Sequence, residues 1–115
     1  MRQVELKVSS QSQGDHVILA LAGEIDLYTA PKLQSELTSA LAGGKSASIV
    51  VDMSAVEFCD STGMNVLLAA HRLATERGGD LTLAAPRPDV RKILEVTGLQ
   101  SVFTIEDDLP AVAGQ

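Results

Sequence analysis

The residues of this chain best suited to chemistry form one short run, Phe58-Cys59-Asp60-Ser61-Thr62-Gly63, in which a hydroxyl directly follows a carboxylate. The run separates a buried apolar strand around Ile49-Val50-Val51 from an amphipathic helix that starts near Gly63. A serine at such a junction stands at the positive end of a helix dipole, where a phosphate is accepted without breaking the fold. Ser61 therefore reads as a covalent switch. The plain alternative is a helix cap, because serine is favoured there and its oxygen takes an N–H two or three residues on. A capping box would add Glu or Gln near Met64 or Asn65, and neither is present. Thr62 and Gly63 bring a second hydroxyl and an uncluttered backbone N–H instead.

Other chemistries fit the residues poorly. A serine-hydrolase triad needs a histidine and an acid, and the flanks of Ser61 are not a Gly-x-Ser-x-Gly elbow. His16 opens an early strand, and His71 falls about two turns along the second helix. Gly44-Lys45-Ser46 has the ending of a phosphate-binding P-loop, but Ser39 stands where the earlier glycine is required and a helix precedes it. Asp60-Ser61-Thr62-Gly63 places its glycine one position too late for an aspartic-protease signature. Cys59 has no second cysteine or paired histidine at metal spacing and reads as a small apolar residue. A phosphorelay receiver would need adjacent acids after its first strand and a late lysine. Gly23-Glu24-Ile25-Asp26 lacks the first, and no lysine follows Lys92.

The elements that would position Ser61 follow from periodicity and punctuation. Val4–Val8 alternates like a strand, Ser9–Asp15 reads as a polar loop, and His16–Leu21 as a second strand of a hairpin. Gly23–Asp26 reads as a turn, with Asp26 bonding local backbone N–H groups ahead of a helix. Thr29 can cap that helix and Pro31 suits its first turn; Leu33, Leu37, Ala40 and Leu41 form its apolar stripe, and Gly43-Gly44 stops it. Ala47–Met53 is apolar enough for a strand buried on both faces of a parallel sheet. Met64–Arg77 gives a second helix with Val66, Leu67, Ala70, Leu73 and Ala74 inward and Asn65, Arg72 and Glu76 outward. Leu81–Ala85, a helix over Asp89–Thr97 ended by a left-handed Gly98, a strand at Val102–Ile105 and a closing helix or tail over Glu106–Ala113 complete the chain. The order β-β-α-β-α-β-α-β-α predicts an α/β fold with a mostly parallel sheet and one hairpin at the start.

Composition narrows the partners. A chain of 115 residues with 45% hydrophobic and 21% charged content suits one globular domain. No apolar run approaches the roughly 20 residues of a membrane span, and the N-terminus lacks the apolar block of a signal peptide. A net charge of −6, scattered basic residues and 3% aromatics argue against nucleic acid. One cysteine forms no internal disulfide, which suits a reducing cytoplasm. A protein or small molecule is the better partner.

Gly23-Glu24-Ile25-Asp26 with Thr29-Ala30, Val51-Asp52-Met53-Ser54 with Val56-Glu57-Phe58, and Asp60-Ser61-Thr62-Gly63 together resemble the anti-sigma factor antagonists, single STAS domains of bacteria. The resemblance extends to Ile93-Leu94-Glu95-Val96-Thr97-Gly98-Leu99, similar to that family's third-helix segment, so it covers nearly all of residues 1–115 as one STAS domain. It departs at Cys59, where a larger apolar residue is common, and at Met64-Asn65, which replaces a frequent Leu-Gly.

What the resemblance implies is partner switching in the regulation of transcription during stress or sporulation. The unmodified antagonist binds an anti-sigma factor that is also a serine kinase, and a sigma factor is released. The kinase phosphorylates the serine matching Ser61, the complex dissociates, and a serine phosphatase resets it. Asp26 matches an acidic residue beside that serine which contacts the partner. Asp60, Ser61, Thr62, Gly63 and Asn65 complete the expected contact set. The resemblance implies a cytoplasmic, non-catalytic protein without metal or cofactor, the ATP belonging to the kinase. Two alternatives are a phosphorylation-independent STAS module, such as a cytoplasmic subunit of a lipid-transport assembly, and a small enzyme with Ser61 as nucleophile.

Overall fold

The computed structural model describes residues 5–13, 16–42 and 48–108. Val4, Gly14 and Asp15 of the expected loop, the expected helix stop at Gly43-Gly44, Ala47 and the part of the expected closing segment after Asp108 lie outside them. The described elements are β1 (Leu6–Gln13), β2 (His16–Ile25), α1 (Ala30–Ala42), β3 (Ser48–Cys59), α2 (Ser61–Glu76), β4 (Leu81–Ala84), α3 (Pro88–Thr97), a 3-10 turn (Leu99–Ser101) and β5 (Thr104–Glu106). The sheet runs β1-β2-β3-β4-β5, with β1 antiparallel to β2 and every other pair parallel. This is the expected α/β arrangement with its single hairpin.

Alternation explains the core. Ile49, Val51 and Met53 project from one face of β3 into a cluster with Leu19 and Leu21 of β2, Leu81 and Leu83 of β4, and the apolar stripes of all three helices. Those stripes follow the 3.6-residue period: Leu33, Leu37 and Leu41 on α1, Met64, Leu67, Ala70 and Ala74 on α2, Val90 and Leu94 on α3. Val50 is also buried, on the opposite face, as a central parallel strand requires. Gly98 ends α3 at φ 79°, the left-handed conformation that glycine adopts without a Cβ penalty.

Three expectations need correction. The polar run from Ser9 is strand, not loop: β1 pairs with β2 from Leu6↔Gly23 to Gln13↔His16. At a sheet edge the backbone ladder suffices, and Ser and Gln side chains can face water. Gly23–Ile25 likewise continues β2. Gly23 marks a register shift rather than a turn, at φ 120°, with its α-carbon packed so closely on the Glu5 carbonyl that a Cβ has no room. Val102 belongs to a turn and is exposed, and the last strand begins at Thr104.

β3 is longer than its apolar run. It continues through Ser54–Cys59, beyond the end of its pairing with β4 at Asp52↔Ala84, and its outer half is laddered to β2 alone. That overhang carries the chain out to Asp60 and Ser61. Among the described residues, no helix is long and apolar enough to cross a membrane.

Candidate functional site

The site forms where β2 and β3 end together. Ile25 pairs with Cys59, and the Asp60 N–H donates to the Ile25 carbonyl at 3.0 Å. The chain then turns into α2 with Asp60 as N-cap in extended conformation, its carboxylate accepting the Gly63 N–H at 3.1 Å. The cap is thus the aspartate, and the helix starts at Ser61, two to three residues earlier than periodicity suggests. This overturns the plain reading of Ser61 as cap. Ser61 is the first helical residue, its side chain is exposed, and its hydroxyl is engaged by no described residue. Of the N–H groups at the start of α2, those of Asp60 and Gly63 are taken, leaving those of Ser61 and Thr62 at the open end.

Thr62 is half-buried and Asn65 exposed, and both line one end of a groove of about 390 Å³ between α1 and α2, with Gln34, Thr38 and Val66 further along it. Gly63 is buried for a steric reason. A Cβ there would strike the Ile25 side chain and come within 2.8 Å of the Cys59 sulfur. Small size at Gly63 lets the first turn of α2 seat directly on the strand ends.

Asp26 lies in the adjoining loop, half-buried, and spends its carboxylate locally. Its Oδ1 accepts the N–H of Tyr28 at 2.9 Å and of Thr29 at 3.0 Å. Thr29 closes the loop from the other side. Its hydroxyl donates to the Glu24 carbonyl at 2.8 Å and accepts the Asp26 N–H at 2.9 Å. Its carbonyl accepts from Lys32 and Leu33, so Thr29 occupies the cap position of α1 while its side chain points back into the loop rather than at the helix. Thr29 therefore does more than cap a helix: it locks the loop, a role signalled in the sequence by the Asp-x-x-Thr spacing.

The residues considered for nucleophilic chemistry are kept apart. His71 is about 15 Å along α2 from Ser61 and packs edge-to-face on Phe103 at 5.5 Å. His16 begins the strand whose far end reaches the site, about 30 Å away. No triad can form on Ser61. Cys59 is fully buried, and burial, helped by the Asp60 charge, pushes its thiol up to about 12, so it is a packing residue and not a nucleophile. Among the described residues, no cluster of His, Cys, Asp or Glu is placed to hold a metal ion.

Residues 7–111 match the family model of the STAS domain. The chain belongs to the STAS domain family. Its relatives include the anti-sigma-B factor antagonist of Listeria monocytogenes, 31% identical over 93 residues, with 81% of each chain covered. A solved anti-sigma factor antagonist from Mycobacterium paratuberculosis superposes with a TM-score of 0.82 at 28% identity, covering 91% of this STAS domain and 88% of that chain. SpoIIAA of Bacillus, solved in its phosphorylated form, shares the fold at a TM-score of 0.67 and 22% identity, with 88% and 90% covered.

Proposed function

We propose that this STAS domain is a non-catalytic anti-sigma factor antagonist whose binding is switched by phosphorylation of Ser61. The observation that carries the reading is the division of labour at the start of α2. Asp60 does the capping, so the Ser61 hydroxyl is exposed and has no structural duty. The unmodified form binds a serine-kinase anti-sigma factor in the cytoplasm through Asp26, Asp60, Ser61, Thr62 and Asn65, with buried Gly63 supporting that surface from beneath rather than touching the partner, and without direct contact to nucleic acid or insertion in a membrane.

In the switching step Ser61 Oγ attacks the γ-phosphorus of ATP held by the kinase. An O–P bond forms, the bond to ADP breaks, and the hydroxyl proton passes to a base of the kinase. The new group adds about −1.5 to −2 charge and three acceptor oxygens. At the first helical position it meets the N–H groups of Ser61 and Thr62 and the positive end of the dipole, so the domain stays folded. That the phosphorylated form of SpoIIAA has the same fold supports this. A partner face shaped for a neutral hydroxyl, against Asp26 and Asp60, then meets bulk and like charge. Each 1.4 kcal/mol of mismatch weakens binding about tenfold. A serine phosphatase restores the hydroxyl.

Incubation with the serine kinases of the source organism and ATP, read by mass spectrometry, tests the reading. The expected result is one phosphate on Ser61, absent in Ser61→Ala, and a Ser61→Asp protein that melts like the wild type but binds the kinase at least about tenfold more weakly. Failure of every kinase to modify Ser61 favours the phosphorylation-independent STAS module instead.

A further inference from the structure

α1 and α2 start together at the strand ends, at Ala30 and Ser61, and end together where Arg77 donates to the Leu41 carbonyl at 2.7 Å. Between them runs the groove of about 390 Å³, in the size range of small-molecule sites. Leu37, Leu41 and Ala70 are buried and form its floor. Ala69 and Ala70 keep it open, placing methyl groups where the turns on either side place Val66 and Leu73. From Thr62 to Leu73 it is about 16 Å long, at 1.5 Å per helical residue.

The lining sorts by polarity along that length. Thr62, Asn65 and Gln34, from the first turns of the two helices, are polar; Leu41 and Leu73 at the other end are not, and Thr38 stands on the rim between. None of these four polar side chains makes a hydrogen bond within the described residues. Thr75 and Thr97, also helical, bond back to the His71 and Ile93 carbonyls at 2.9 and 2.7 Å, whereas Thr38 leaves the corresponding Gln34 carbonyl unused. Charge is missing from the groove. Lys32, Glu36, Asp60 and Arg72 neighbour it in the sequence but do not line it, and Arg77 is engaged by Leu41. A phosphate or carboxylate entering there would lose water without meeting a cation, which is costly. A third helix, about 10–12 Å across, would rest on the rim at Gln34, Thr38 and Asn65 without reaching the floor.

We propose that the groove between α1 and α2 is a binding site for a small uncharged amphiphile, an aliphatic chain with a neutral hydrogen-bonding head such as an alcohol or amide. The head meets the free groups of Thr62, Gln34 and Asn65, and the chain lies on Leu37, Leu41 and Ala70. This site goes beyond the phosphorylation switch and does not depend on it. Thr62 directly follows Ser61, so the bound head lies beside the hydroxyl assigned to that switch.

The test titrates isotope-labelled full-length protein with decanol, decanoate and ATP, following backbone amides by NMR. Decanol should shift Thr38, Val66 and Ala69 saturably and leave Lys7 and Gln11, on the edge strand, unmoved. Decanoate, with the same chain and a charged head, should bind at least about tenfold more weakly, and ATP should not move the groove resonances. Ala69→Leu fills the groove from an exposed helical position with a good helix former, so it should melt like wild type. It should weaken decanol binding at least about tenfold, while Glu76→Gln, outside the lining, stays within about twofold. Absence of a saturable decanol shift, equal affinity for decanoate, or unchanged decanol binding by Ala69→Leu overturns the proposal. A stronger groove response to ATP assigns the site to a nucleotide and overturns it. So does concentration-dependent self-association that is lost in Ala69→Leu, which assigns the groove to a second copy. Each of these outcomes leaves the Ser61 reading standing, because phosphorylation is measured separately.

Discussion

The backbone N–H of Asp60 donates to the carbonyl of Ile25 at 3.0 Å, and this bond extends the Ile25–Cys59 pairing to join the Ser61 turn to the Asp26 loop. Two segments more than thirty residues apart in the chain thereby become one surface. Geometry at that surface depends on who caps, who packs and who locks, and each role belongs to a different side chain.

Capping belongs to Asp60. Asp60→Ala should lower stability by about 0.5–2 kcal/mol, the usual loss of an N-cap, and Asp60→Asn should recover most of it. Ser61→Ala should change stability by no more than about 0.5 kcal/mol, as for an exposed residue without partners. Urea denaturation followed by circular dichroism separates the two. A larger loss in Ser61→Ala than in Asp60→Ala would return the capping role to the serine.

Packing belongs to Gly63. The added methyl of Gly63→Ala runs into Ile25 and the Cys59 sulfur, both fully buried and unable to withdraw into solvent. Overpacking of this kind costs about 1–3 kcal/mol. The midpoint of denaturation should fall accordingly, and pairing the change with Ile25→Val should return part of the loss.

The lock belongs to Thr29, the one buried polar residue among those described. Thr29→Val keeps the shape and removes the hydroxyl, so the Glu24 carbonyl and the Asp26 N–H both lose the bonds it supplied. A loss of about 1–3 kcal/mol is expected, with Thr29→Ser retaining most of the stability. Amide exchange at Asp26 should quicken in the valine variant and not in the serine variant.

Cys59 gives a pH signature. Its thiol is raised from 9.0 to about 12 by burial and by the Asp60 charge, so the folded protein favours the neutral form. The unfolded chain then loses its proton first as pH rises. Stability from this group is complete below about pH 9 and declines as pH climbs through 9 toward 12. A thiol reagent at pH 8 should leave native Cys59 unmodified and label it only on unfolding, a contrast read by mass spectrometry.

Much of this was legible in the residue order. Alternation in Ile49–Met53 and the 3.6-residue stripes of α1 and α2 state directly which faces are buried, and Gly98 announces its left-handed cap. Ser61 could be singled out because a hydroxyl beside a carboxylate at a strand-to-helix junction is a local pattern. What was hidden is set by long-range pairing. Polar Ser9–Gln13 became strand because β2 offered a ladder, and Gly23 became a kink in a strand because Glu5 crosses over it. The cap fell to Asp60 because Ile25 holds its backbone in extended form, and Leu27 and Tyr28 face water because Asp26 and Thr29 turn away from it.

The outer half of β3 is supported on one edge only. From Ser54 to Cys59 its rungs run to β2 only, and the Arg87 guanidinium, bonded to the Ser54 carbonyl at 3.1 Å, clamps the root of that stretch. A change in this stretch therefore disturbs the β2 ladder and the seat of α2 at Ile25 and Cys59 while leaving the rungs to β4, which stop at Asp52, untouched.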